Sequence, residues 1–232
     1  MSHTPFRILF AIYPGMTQLD FTGPYQFLKR WTGAEVIVAS LKGGDVSADG
    51  LVFAQTVKLV EIQACDLICV PGGTNALDVA LDAAFIAHIR RLAGDARYVT
   101  SVCTGSLILG AAGLLQGRRA ACHWAWRELQ PLFGAIPDTS RVVRDGHIIT
   151  GGGVTAGIDF ALTLLAEIAG PDIARSIQLG LEYAPAPPFH SGRPEDAPTN
   201  ILTAYQAQIS PLATKRRAQA QDAADRLAAL IP

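Results

Sequence analysis

The stretch Arg97-Tyr-Val-Thr-Ser-Val-Cys103-Thr104-Gly105-Ser-Leu-Ile-Leu-Gly-Ala-Ala112 passes from a β pattern straight into a helical one, with a cysteine at the seam. The aromatic and β-branched residues up to Val102 predict a buried strand, and the small apolar residues after Gly105 predict a helix able to lie close to a sheet. A side chain at such a junction stands on a sharp turn at the carboxyl edge of the sheet, the arrangement of a nucleophile elbow. The N–H groups and dipole of the following helix are expected to favour thiolate over thiol. Cys103 is therefore the candidate nucleophile, although a free cysteine is more often a small buried hydrophobe.

Outward from this seam the chain alternates strands and helices. Phe6 to Tyr13 reads as a first strand, followed by a loop carrying Asp20 and a helix opened by Thr22-Gly23-Pro24. A second strand is expected at Ala34 to Ser40, then a hairpin-like excursion around Asp49-Gly50. Cys65 to Pro71 is a short buried strand ending in Gly72-Gly73, and Ala83 to Ala93 an amphipathic helix. After the cysteine helix, Arg141 to Thr150 reads as a hairpin around Asp145-Gly146. Gly151-Gly152-Gly153 then leads to a long apolar helix from Thr155 to Ala169. This order predicts an α/β fold: a doubly wound, mostly parallel sheet with helices on both faces and ligands at the carboxyl ends of the strands. The five prolines between Tyr183 and Pro198 mark an extended arm, and two helices, near 199–209 and 212–230, are expected to close a single domain spanning 1–232.

Four further residues fall at the expected edge. Asp20, between Leu19 and Phe21, either caps a helix or is partly desolvated, with a raised pKa suited to holding and delivering a proton. Gly72 and Gly73 either mark a turn or offer unhindered N–H groups to negative charge developing on a substrate. Thr104 is an N-terminal helix residue whose hydroxyl can reach Asp20 or the substrate. A Cys-His-acid triad would need a histidine, and none of His3, His88, His123, His147 and His190 is marked by motif as the partner of Cys103. Cys65 and Cys69 lie roughly 13 Å apart on a strand, too far to share a metal ion. Cys122-His123 has no further ligand cluster, and packing is the better reading. Lys215-Arg216-Arg217 reads as a solvated face.

Composition narrows the partner. Among 232 residues, 19 basic and 20 acidic side chains nearly cancel, which gives no reason to expect nucleic acid or a polyanion. Half the residues are hydrophobic and only 17% charged, so an extensive core is expected. No apolar run approaches a membrane span, and the N-terminal stretch lacks the pattern of a signal peptide, so a cytoplasmic protein with four free thiols is expected. The partner is expected to be a small molecule.

Gln18-Leu-Asp-Phe-Thr-Gly-Pro24, Val70-Pro-Gly-Gly-Thr74, Tyr98-Val-Thr-Ser-Val-Cys-Thr-Gly-Ser106, Thr150-Gly-Gly-Gly-Val-Thr-Ala-Gly-Ile-Asp-Phe160 and Leu181-Glu-Tyr-Ala-Pro-Ala-Pro-Pro188 together resemble the ThiJ/PfpI superfamily of flavodoxin-like proteins, in its isocyanide hydratase branch. Other branches commonly carry histidine after the cysteine and glutamate in the first loop; Thr104 and Asp20 stand there instead. The resemblance implies hydration of an isocyanide to an N-substituted formamide, and the roles read from the residues fit that reaction: Cys103 as nucleophile, Asp20 as proton carrier and Thr104 orienting it. That reaction requires no metal, flavin or nucleotide, and no glycine-rich phosphate loop opens a helix with the expected spacing; the resemblance further implies a homodimer. Alternatives are another cysteine activity of the superfamily, amidase or glyoxalase-like, and a cysteine redox sensor without catalysis.

Overall fold

The computed structural model describes residues 4–230. In chain order the elements are β1 (Phe6–Ala11), α1 (Gln18–Leu28), β2 (Ala34–Ser40), β3 (Gly44–Ala48), β4 (Leu51–Lys58), β5 (Leu67–Val70), α2 (Ala76–Ala80), α3 (Ala83–Asp95), β6 (Tyr98–Val102) and α4 (Gly105–Ala111). They continue with β7 (Arg119–Ala120), β8 (Ile136–Pro137), β9 (Val142–Asp145), β10 (Ile148–Gly151), α5 (Ala156–Ile168), α6 (Pro171–Gly180) and α7 (Thr199–Ala228).

The main sheet runs β3-β4-β2-β1-β5-β6-β10-β9. Its six central strands are parallel, and an antiparallel hairpin closes each edge. Burial on both faces explains the nearly unbroken apolar runs: all of β5 and Ile8–Ala11 of β1 are inaccessible to solvent. Helices α1, α5 and α6 pack together on one face, and α2, α3, α4 and α7 on the other. The order β2-β1-β5-β6-β10 is the flavodoxin-like one. Its reversal between β1 and β5 opens a crevice at their carboxyl ends, where a ligand is expected. Asp20 follows β1, Gly72 and Gly73 follow β5, and Cys103 follows β6. At Asp49-Gly50 both central turn residues have positive φ, 49° and 80°, the geometry a two-residue hairpin needs.

Two expectations are corrected. Helix α1 begins at Gln18, so Asp20 sits in its first turn instead of a preceding loop. Thr22-Gly23-Pro24 lies inside it: Thr22 Oγ1 donates back to Gln18 O at 3.0 Å, and Pro24 packs against Gly157 of α5. The two closing helices are one 30-residue helix that passes through Pro211. Proline's φ suits a helix, and its missing N–H costs a single bond on a segment whose backbone is open to water.

Candidate active site

Three segments are brought together because small residues let backbones approach. The turn at Cys103 holds φ at +59°, a left-handed value that costs of order 1–3 kcal/mol in a non-glycine residue and aims its side chain into the crevice. Its N–H is held by Gly151 O at 3.0 Å and Gly152 O at 2.8 Å, so the end of β10 fixes the elbow. Gly105 lets α4 begin directly against β5, because a Cβ there would collide with the carbonyl oxygen of Val70. Gly72 lies between the functional side chains: a Cβ there would run into the Thr104 nitrogen and crowd Asp20 Oδ2 at 2.9 Å.

Asp20 is fully buried. Its Oδ2 accepts the Gly72 N–H at 3.0 Å, while Oδ1 has no N–H or O–H donor among the described residues. The Cys103 thiol lies beside this carboxyl group and draws its pKa down. Burial pushes the Asp20 pKa up to about 7, against the downward pull of the Cys103 and Gly72 contacts, as its apolar setting predicts. Burial also pushes the Cys103 thiol well above its ordinary value, with the negative field of Asp20 adding to the effect. The pull toward thiolate expected from the helix start is opposed at Cys103 by loss of hydration, which outweighs the downward effect of the Val154 and Thr104 N–H groups on the thiol pKa; α4 itself has only seven residues. The resting pair is a thiol beside a carboxyl group, with proton exchange between them available.

The roles expected of Thr104 and the glycines also change. Thr104 Oγ1 accepts the Gly73 N–H at 2.9 Å and lies 3.3 Å from Gly73 O, and it makes no hydrogen bond to Asp20. The N–H groups of Gly72 and Gly73 are thus both spent on the site's own side chains and are not free for substrate. Gly72 orients Asp20, and Gly73 fixes Thr104. The backbone N–H groups of Val154 and Thr104 instead act on the sulfur, drawing the Cys103 pKa down.

Val154 and Tyr13 are site neighbours that the sequence reading did not single out. The Gly151-Gly152-Gly153 run ahead of α5 is the signal that could have pointed to Val154. Tyr13 lies two residues past β1 and donates its hydroxyl to Pro71 O at 3.0 Å; burial, then the fields of Asp20 and Cys103, raise its pKa. Cys65 and Cys69 are buried, as expected. Cys122 lies near the nucleophile, and with His123, Arg127, Gly153 and Val154 it lines a cleft of about 430 Å3 beside the elbow. His123 Nδ1 accepts the Ala125 N–H at 3.3 Å, and burial with the nearby Arg216 and Arg127 lowers its pKa, which holds the ring neutral. His3 lies outside the described residues. No cluster of three metal-binding side chains occurs among the described residues.

With this geometry in place, comparison with known proteins is decisive about family. The DJ-1/PfpI family pattern matches residues 6–167. The chain belongs to the DJ-1/PfpI family. It is 49% identical over 206 residues to an isonitrile hydratase of Pseudomonas putida, covering 88% of this chain and 90% of that protein. A crystal structure of a ThiJ/PfpI family protein from Pseudomonas syringae superposes with a TM-score of 0.90 at 38% identity, covering 95% of this chain and 91% of that one. The HTH-type transcriptional regulator CdhR of Pseudomonas aeruginosa is 31% identical over 71% of this chain, which spans only 51% of the regulator.

Proposed function

We propose that this DJ-1/PfpI protein is a cysteine-dependent isocyanide hydratase, converting R–N≡C and water to the formamide R–NH–CHO. The observation that carries the reading is the buried juxtaposition of Asp20 with Cys103, in which one carboxyl oxygen, Oδ1, has no hydrogen-bond partner among the described residues. An isocyanide asks for this pairing, because its terminal carbon accepts first a nucleophile and then a proton. The similarity to the Pseudomonas putida isonitrile hydratase over most of both chains supports it.

Cys103 sulfur attacks the terminal carbon while its proton passes through Asp20 to that carbon, giving the thioimidate R–N=CH–S–Cys103. Water then adds to the same carbon; Asp20 takes one of its protons and the imine nitrogen gains one. Collapse breaks the C–S bond, the sulfur recovers a proton through Asp20, and the formamide leaves. Gly72 keeps the carboxyl group aimed throughout, and Gly73 with Thr104 keeps the elbow in place. No step requires a metal or an organic cofactor from these residues.

The domain is read as a single unit, acting in the cytoplasm on a small molecule and as a homodimer. Among the described residues no helix is long and apolar enough to cross a membrane. Phe189 in the arm and Ile201, Tyr205 and Leu212 on α7 are exposed apolar side chains that a second copy would cover, and sedimentation at micromolar concentration tests this, a monomer refuting it.

The test of the chemistry is rapid mixing with a simple alkyl isocyanide, followed by intact mass and proton NMR. A transient gain equal to the substrate mass, then the formamide, is expected, with both absent in Cys103→Ala. Formamide production by Cys103→Ala, or none by the native protein, overturns the reading.

A further inference from the structure

Arg216 does not lie on a solvated face. It comes from the middle of α7, is half-buried, and lies flat over Trp126 with its guanidinium carbon 4.0 Å from the ring centroid. Its side chain borders Gly73, Thr104, Leu107 and Trp126 at the elbow, in a crevice too tight to hold a water molecule. Among the described residues it forms no ion pair. Asp78, whose field reaches it, is instead taken by Gln219 Nε2 at 2.6 Å. A second guanidinium, Arg127, has its Nε buried without a partner on the neighbouring cleft. A half-buried cation without a counter-ion carries a desolvation cost that an arriving anion would relieve, and its planar fork suits a carboxylate.

We infer that Arg216 is a specificity-determining residue that receives an anionic group, so the preferred isocyanides carry a carboxylate a few atoms from the isocyano carbon. This rests on the hydratase reading for the identity of the reacting group, but not for the recognition of charge. The Trp126 ring holds the fork over its face, and Arg216 lies near enough to Cys103 to feel its charge.

The charge preference is readable without turnover. Iodoacetate and iodoacetamide alkylate a thiolate by the same displacement, forming an S–C bond and releasing iodide, and differ chiefly in charge. Mass spectrometry of the Cys103 peptide gives the ratio of their rates. Arg216→Gln is expected to lower the iodoacetate-to-iodoacetamide ratio about tenfold, the order of one charge-assisted hydrogen bond. Arg216→Lys should retain most of the preference, and Arg217→Gln, at an exposed position, should leave it unchanged. Buried Cys65 and Cys69 report in the same digest whether a variant has stayed folded. In turnover, 2-isocyanoacetate should exceed its methyl ester about tenfold in kcat/KM, and Arg216→Gln should remove that advantage. An alkylation ratio indifferent to Arg216, or an ester handled as well as the acid, overturns the inference. If neither compound is hydrated while the alkylation ratio still depends on Arg216, the hydratase reading fails and charge recognition stands.

Discussion

Cys103 and Asp20 depend on each other because neither can hold a full charge cheaply in a dry site. With the carboxyl pKa near 7 and the thiol well above its ordinary range, the form with one shared proton becomes dominant as pH rises through about 7. Turnover is expected to rise through that pH and then stay level until the thiol ionises, and a pH profile of kcat/KM checks it. Asp20→Asn should erase the inflection and slow the chemical step by about 10²–10⁴-fold, measured in single turnover. The same group sets a stability signature. Because folding raises its pKa from 3.8 to about 7, the folded state holds a proton that the unfolded state has lost in that interval, so stability falls as pH rises across it. The loss reaches up to about 4 kcal/mol by pH 8, and denaturant titrations of Asp20→Asn should show a flatter pH dependence. Cys103 was legible in sequence because it follows directly on a buried strand, and Asp20 because it is a charged group set between apolar neighbours. The allocation of the Gly72 and Gly73 N–H groups was not legible, since spacing gives a donor but not which of two nearby acceptors takes it. Arg216 was missed because its surroundings are supplied by residues distant along the chain.

Elements were legible where one physical rule dominates. The parallel strands announce themselves by unbroken apolar runs, and the hairpins by turn residues that tolerate positive φ. The start of α1 was obscured because Thr22-Gly23-Pro24 imitates a helix entrance, whereas the true boundary is set by tertiary contacts: Thr17 N–H donates to Gly72 O at 2.9 Å and Gln18 N–H to Asp49 Oδ2 at 2.8 Å. Those contacts fix where Asp20 lies relative to β5, so the site depends on close approach of elements as much as on its side chains. Gly105→Ala presses a Cβ into the Val70 carbonyl, a rigid backbone group, and should cost about 1–3 kcal/mol or more in denaturant unfolding. Gly153→Ala meets the movable His123 ring at 2.8 Å and should cost clearly less. Gly72→Ala separates positioning from stability: it should depress turnover by a larger factor than its loss of stability implies, because it pushes directly on Asp20 and Thr104.

At the scale of the whole molecule, the site depends on α7, which is built in two unlike halves. Its last turns are anchored by Ala220, Ala223, Ala224 and Leu227, all buried, whereas its first half is largely exposed. Arg216 lies just before the anchored part, so its position over Trp126 depends on those last turns staying docked. Leu227 is 3% exposed and packs beside Gly113, at the end of the cysteine helix. Leu227→Ala should therefore cost about 2–5 kcal/mol, the usual range for truncating a buried leucine. The manner of unfolding is the sharper readout. Trp124 and Trp126 report on the segment that α7 covers, while far-ultraviolet circular dichroism reports on all the helices. If docking of α7 is part of the same cooperative unit as the sheet, the two signals should move together in native and variant proteins and shift to lower denaturant in the variant. A tryptophan transition preceding loss of helix would show that α7 releases first. In that case Leu227→Ala should also lose the Arg216-dependent alkylation preference at denaturant concentrations where the sheet is still intact.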